Sequence, residues 1–131
     1  MADYTPVYAA GQQPFTATTS GAVTGGTLAA VSGSCTVATA GALSAIVVGV
    51  FAQDAASGAA VGIWPLDGLV HEIVAASNIT QGNGIQSAAS GQVDPATTSL
   101  ATQAAAGTLI GTALTTVTAG GGAKARFQGR H

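Results

Sequence analysis

Short runs rich in Thr, Val and Ala recur from Phe15 onward, and Gly, Ser, Asn or Asp separates them at intervals of about ten residues. β-Branched residues favour strands, whereas glycine and small polar residues favour turns. Many short strands with regularly spaced turns are typical of a β-sandwich or a β-barrel. The sequence therefore predicts an all-β fold with little helix. The predicted strands are residues 15–19, 26–31, 35–39, 45–53, 60–65, 69–75, 84–88, 108–116 and 123–128.

The segment 95–106 departs from this rhythm, because it is rich in Ala and Thr and contains Leu100. Its residues fit either a loop or a short helix that begins near Asp94. We predict a loop that includes at most one helical turn.

Two parts of the sequence resemble each other. The letters VTGG at 23–26 match ITQG at 79–82, and each is followed by a short apolar run and a Ser-Gly pair. Val48-Gly49 likewise resembles Ile110-Gly111, and each pair is followed by an apolar strand, a Gly turn at Gly58 or Gly120, and another strand. These glycines fit turns or close approaches between backbones. The repeat predicts two similar sheets that pack on one another as a small closed or nearly closed β structure.

The first 14 residues contain Pro6 and Pro14 and show no alternation of apolar and polar residues. Proline interrupts regular strand pairing, so these residues are predicted to form an extended N-terminal arm. Tyr4, Tyr8 and Phe15 have no evident core to enter, which suggests that they bind a partner and that the arm is dispensable for folding. The predicted organisation is an arm at 1–14, a single β domain at 15–128 and a basic tail at 129–131.

Only 6% of the residues are charged, and the formal net charge is −2. The three basic residues, Lys124, Arg126 and Arg130, all lie near the C-terminus. Binding to a phosphate backbone requires a cluster of basic side chains, so the composition argues against nucleic-acid binding. A surface with so few charges is poorly protected against association. We therefore expect the chain to work within an assembly.

The best candidate for a membrane span is the apolar segment 37–52. It is shorter than the roughly 20 apolar residues that a spanning helix needs, and Gly41, Ser44 and Gly49 interrupt it. We predict a turn and a buried strand here, and no membrane association. The N-terminus lacks the pattern of a signal peptide, and the single Cys35 excludes an internal disulfide. We expect the protein to stay in the reducing compartment where it is made until it is assembled.

Residues suited to catalysis are scarce. The only candidate bases are His71 and His131, and no Gly-x-Ser-x-Gly motif is present. Asp67, His71 and Glu72 are possible metal ligands, but neighbours in a strand point to opposite faces, so we predict a turn acid and a solvated pair instead. The sequence thus predicts no enzyme activity, no catalytic residues, no metal and no cofactor.

Two features fit contacts between subunits. Trp64, followed closely by Leu66, is compatible with a core position or with an anchor at a subunit interface. Lys124 and Arg126 alternate with apolar residues, so the last predicted strand has one basic and one apolar face. The basic face fits either exposure to solvent or contact with an acidic patch of a partner.

The order of these motifs resembles that of the small head-decoration proteins of tailed bacteriophages, which are also called capsid-stabilising or cement proteins. The resemblance covers most of the chain from Phe15 to Phe127. It rests on the turns at 23–26 and 79–82, the strand at 47–52 with the residues 54–58 after it, and the late segment 109–114. The longer N-terminus and the basic C-terminal extension of this chain depart from the usual pattern of these proteins.

The resemblance implies a small β-barrel or β-tulip-like protein that forms a homotrimer and binds the major capsid protein on the outside of a mature phage head. Such proteins sit between capsomers and stabilise the head. By this resemblance, the arm would reach onto neighbouring capsid subunits through Tyr4, Thr5, Pro6, Val7, Tyr8, Pro14 and Phe15. An adhesive or carbohydrate-binding β module displayed on a virion is the alternative, with Trp64 as the platform for a sugar.

Overall fold

A computed structural model describes residues 3–97 and 100–130. Within these ranges the chain folds into two units of five strands each, which confirms the predicted all-β class. The first unit contains β1 (Phe15–Thr19), β2 (Leu28–Gly33), β3 (Thr36–Thr39), β4 (Val47–Phe51) and β5 (Ala60–Pro65). The second unit contains β6 (Val70–Val74), β7 (Gly84–Ser87), β8 (Val93–Pro95), β9 (Gly111–Ala113) and β10 (Lys124–Gly129).

The first unit is a closed barrel with the strand order β1-β3-β2-β4-β5. β1 runs parallel to β3 and antiparallel to β5, and these two pairings close the barrel. Alternate residues point inward, as the period of a strand requires. The barrel interior contains Ala17, Val23, Ala29, Val37, Phe51, Val61 and Ile63.

The strands of the second unit pair in the same order and register as the strands of the first unit. Leu28 lies opposite Val50 in the first unit, and Gly84 lies opposite Thr112 in the second. A single parallel bridge, Ala75 to Val93, joins the two edges of the second sheet where Thr19 pairs with Val37 in the barrel. The other strand pairs also correspond. The pair β1–β5 corresponds to β6–β10, β2–β3 to β7–β8, and β4–β5 to β9–β10. The predicted internal repeat is confirmed, and it extends over both units.

Two glycines of the predicted repeat are required by close backbone approaches. A Cβ atom at Gly49 would lie 2.2 Å from the carbonyl oxygen of Trp64. A Cβ atom at the equivalent Gly111 would lie 2.6 Å from the carbonyl oxygen of Gln128. Any side chain would push the neighbouring strand away at these positions, so glycine is needed in both units.

The two units share one hydrophobic core. Leu28, Ala30 and Val47, which belong to the first unit, pack in the same cluster as Ile110 and Phe127 of the second unit. The barrel therefore uses its outer wall to cover the interior of the second sheet. Neither unit buries all of its apolar surface alone.

The connection between β8 and β9 differs from the sequence prediction. The predicted loop is wrong, because the helix α1 spans Leu100–Ala106 in seven residues, or about two turns. Asp94 lies within β8 and does not cap this helix. The residues of α1 are mostly Ala, Leu and Gln, which favour helix, and Gly107 follows the helix with a φ of +77° that suits its end. The equivalent connection in the first unit, between β3 and β4, is shorter and carries no helix.

Candidate functional site

The part of the chain that the structure describes contains no group of three or more His, Cys, Asp or Glu residues that could hold a metal ion. None of its helices is long and apolar enough to cross a membrane. The prediction that His71 belongs to a solvated pair is wrong, because His71 is completely buried in β6. Its neighbour Glu72 does face outward, where it pairs with Arg126.

His71 is held in a hydrogen-bonded network that fixes its ring. Its Nε2–H donates to the carbonyl oxygen of Pro65 at 2.8 Å, so Nδ1 is the acceptor for the hydroxyl of Tyr4, also at 2.8 Å. The Tyr4 hydroxyl in turn accepts from the backbone N–H of Glu72 at 3.2 Å. The rings of Tyr4 and His71 stack with their centroids 5.8 Å apart, and the centroid of the Phe127 ring lies 6.0 Å from that of His71. Every polar atom of this buried group has a partner.

The electrostatics of Tyr4 and His71 agree with a structural role. Burial lowers the pKa of His71 below its usual value, although the bond to Pro65 opposes the shift. Burial also raises the pKa of Tyr4 well above its usual value, and the charge of Glu72 adds to the increase. Both side chains are therefore neutral near pH 7. A neutral, fully bonded imidazole without access to solvent is poorly suited to proton transfer with a substrate.

The first part of the predicted arm lies along the fold. The backbone N–H of Tyr4 donates to Ala52 at 2.7 Å, and the carbonyl oxygen of Tyr4 accepts from Nε1 of Trp64 at 3.1 Å. Pro6 is buried, and the N–H of Val7 donates to Val70 at 2.8 Å. The prediction that the aromatic residues of the arm lack a partner within the chain is therefore wrong for Tyr4. Its partner His71 lies in a distant strand, so no local pattern reveals the contact.

The other residues predicted for the arm are more accessible. Thr5 and Pro14 are exposed. Tyr8 is 66% exposed, although its backbone bridges to Val70, and Phe15, the first residue of β1, is 44% exposed. Their role in binding a capsid stays a prediction.

The residues predicted for a subunit interface lie in different environments. Leu66 is only 2% exposed and belongs to the core. Trp64 is half-buried, and Lys124 is exposed. Arg126 donates to a carboxylate oxygen of Glu72 at 2.9 Å across the β6–β10 pair. Because the residues between and after these two cations, Ala125 and Phe127, are buried, the predicted basic and apolar faces of the last strand are confirmed.

One apolar surface was not identified from the sequence. Phe15, Val31, Cys35 and Val48 line a groove of about 170 Å³ at one end of the barrel, which we name the open end. Phe15 is 44% and Val31 43% exposed, and Cys35 is also exposed. The sequence signal is present, because Val31 continues the inward alternation that starts at Ala29. Alternation alone does not show that the barrel ends here without a cover.

The fold of this chain is also found among solved structures. No protein-family model matches the chain, and no curated protein matches it. Among solved structures, the chain is similar to the N base of the head fiber gp8.5 of bacteriophage phi29, known from a crystal structure. The TM-score is 0.67 at 20% sequence identity, and the match covers 89% of this chain and 92% of that chain. The resemblance to phage head proteins is thereby confirmed at the level of the fold.

Proposed function

We propose that this chain is a non-enzymatic structural protein of a phage virion, which binds the outer surface of the mature head between capsomers and stabilises the head. The observation that carries the proposal is the shared fold with a bacteriophage head fiber protein over 89% of the chain. At 20% identity this likeness concerns the fold, so the partner and the role are inferred from the surface of the chain itself.

The surface favours contact with other proteins. Only 6% of the residues are charged. Large apolar side chains are nevertheless exposed on the arm and on the first unit, among them Tyr8, Phe15, Val31, Leu43 and Ile46. Exposed apolar groups that are not surrounded by charges are typical of binding surfaces. The partner that fits the proposed function is the major capsid protein.

Stabilisation of the head would follow from multiple attachment. A homotrimer that contacts several capsid subunits turns weak single contacts into tight binding, because the second and third contacts form at a high effective concentration. Bridged subunits then resist separation under the pressure of packaged DNA. The exposed part of the arm, from Tyr8 to Phe15, would add contacts to neighbouring subunits. Native mass spectrometry of the purified protein tests the trimer.

Co-sedimentation with phage heads tests the proposed function. Purified protein is mixed with undecorated mature heads and with immature heads of the phage that encodes it, and the bound fraction is measured after dilution. We expect saturable binding to mature heads, weaker binding to immature heads, and a higher temperature of DNA release from decorated heads. Absence of binding to mature heads would contradict the proposal.

The carbohydrate-binding alternative has no specific support in the structure. Trp64 is half-buried, and its indole N–H is already bonded to the carbonyl oxygen of Tyr4. A sugar platform normally offers a free aromatic face and free donors nearby. We therefore retain the structural role as the proposed function.

A further inference from the structure

The internal repeat reveals what is missing at the open end. The position of Phe15 in the barrel, opposite Ile63, is taken in the second unit by His71, opposite Phe127. The position of Val31, opposite Val37, is taken by Ser87, opposite Val93. Val48 and Cys35 correspond in the same way to Ile110 and Gly91. The second unit therefore has its own copy of the open end.

That second copy is completely covered. His71, Ser87 and Ile110 all have 0% exposure, whereas Phe15 and Val31 are 44% and 43% exposed. The difference cannot arise from strand pairing, because the two units have the same register. It arises because the second copy has a cover and the barrel has none among the described residues.

The cover of the second unit is the outer wall of the barrel. Leu28, Ala30 and Val47 provide its apolar part. The segment after β3 provides its polar part, because the N–H of Leu43 donates to the carbonyl oxygen of Ser87 at 2.9 Å and the Ser87 hydroxyl donates to Gly41 at 2.8 Å. Tyr4 completes the cover over His71. The structure thus contains an example of what fits such an opening, namely a β-sheet wall with small aliphatic side chains and one aromatic residue.

The described residues of a second copy of this chain do not offer a free wall of this kind. The wall of its barrel is already buried against its own second unit. The equivalent wall of the second unit, with Gly84, Gln86 and Leu109, is also buried, and Thr97 at the start of the connection that carries α1 donates to Gln86.

The shape of the opening also excludes an identical cover. A Cβ atom at Gly91 would lie 2.7 Å from Cβ of Thr27 in the cover. The barrel has Cys35 at this position, and Val31 replaces the hydrogen-bonding Ser87. The missing cover must leave room for a thiol and make apolar contact where the internal cover makes hydrogen bonds.

We infer that the open end of the barrel docks a β-sheet wall of small aliphatic side chains that belongs to another protein. This inference rests on the proposed function, under which that protein is the capsid subunit. It identifies the open end, in addition to the arm, as the face that the chain turns toward the head.

The test uses the variant Val31→Asp, because a buried and unpaired carboxylate strongly opposes docking. Its matched control is Leu114→Asp, which adds the same charge at a side chain of similar exposure, 47%, on the second unit. Thermal unfolding confirms first that both variants are folded. We expect Val31→Asp to weaken retention on undecorated mature heads by about tenfold or more and Leu114→Asp by less than about twofold.

A fluorescent label on the single Cys35 provides an independent measurement that needs no charged substitution. We expect its emission to shift to the blue when heads are added, because the label enters an apolar contact. In the control, Cys35→Ser and Leu114→Cys move the label to the second unit, where we expect no shift.

The outcomes separate the two proposals. If the unmodified chain binds heads and Val31→Asp binds equally well, the docking surface is wrong and the proposed function stands. If the unmodified chain does not bind heads, both are wrong. If the chain forms an oligomer in solution that Val31→Asp dissociates, as measured by analytical ultracentrifugation, the occupant is a second copy and the inference is overturned.

Discussion

The hydroxyl of Tyr4 donates a 2.8 Å hydrogen bond to Nδ1 of His71, and this bond ties the N-terminal segment to a strand of the second unit. The carbonyl oxygen of Tyr4 is bonded to Trp64 of the first unit at the same time. One residue of the predicted arm therefore bridges both units of the fold. Because of this contact, we expect the N-terminal segment to stabilise the fold and the protein to lose stability at low pH.

The first prediction concerns the hydroxyl of Tyr4. We expect Tyr4→Phe to lower the free energy of unfolding by about 1–2 kcal/mol, because it leaves Nδ1 of the buried His71 without a hydrogen bond. Urea denaturation measures the change. The control is Tyr8→Phe, whose side chain is 66% exposed and which we expect to shift stability by less than about 0.5 kcal/mol. Equal effects of the two substitutions would contradict the role of the Tyr4 bond.

The second prediction concerns removal of residues 1–14. The sequence alone suggests that the arm is dispensable for folding. From the structure, we expect its removal to lower the free energy of unfolding by about 3 kcal/mol or more. The reason is that the deletion removes the ring of Tyr4 from His71 and the buried Pro6 from the fold. Thermal and urea unfolding of a chain that starts at Phe15 measure the loss, with Tyr8→Ala as the control for the exposed part of the arm. Unchanged stability would restore the original expectation.

The third prediction concerns pH. The pKa of His71 is lowered in the folded state. At a pH below 6.5, the ordinary pKa of histidine, the unfolded chain therefore binds the proton more readily than the folded chain does. The stabilisation from neutral His71 is complete above pH 6.5 and is lost as the pH falls below that value. We therefore expect the melting temperature to decrease as the pH is lowered from about 7 to about 5.

The control for this pH dependence is the double variant Tyr4→Phe and His71→Phe. Phenylalanine occupies the equivalent position of the barrel, at Phe15, and the first substitution removes the hydroxyl that would lose its acceptor. All carboxylates and His131 remain in the variant. A melting temperature that depends on pH as steeply in the double variant as in the original chain would show that His71 is not the responsible group.

The fourth prediction concerns the paired glycines of the repeat. We expect Gly49→Ala and Gly111→Ala each to destabilise the fold by about 2 kcal/mol or more, since the new methyl group would meet a backbone oxygen of the neighbouring strand. Gly41→Ala is the control, because a Cβ atom there has nothing within 4 Å. We expect a change of less than about 0.5 kcal/mol for this control in urea denaturation. Tolerance of alanine at both paired positions would mean that the strands can separate at no cost.

The sequence by itself located nine of the ten described strands and showed that their pattern is repeated, but it did not predict β8. The bounds of β1 and β5 agree with the prediction at both ends, because glycines and small polar residues stop each apolar run locally. The alternation at 124–127 likewise shows which face of β10 is buried, since a strand has a fixed period of two. These properties depend on residues that are close in the chain.

The tertiary structure alone decided which surfaces are covered. Phe15 and His71 hold equivalent positions in two units of equal register, yet the apolar residue is exposed and the imidazole is buried. His71 is buried because Tyr4 and the wall around Leu28 cover it, and these residues are far from His71 in the sequence. A local pattern encodes how a strand pairs and which way its side chains point. It does not encode which of two similar openings the outer wall of the barrel covers, because that depends on how whole units pack against each other.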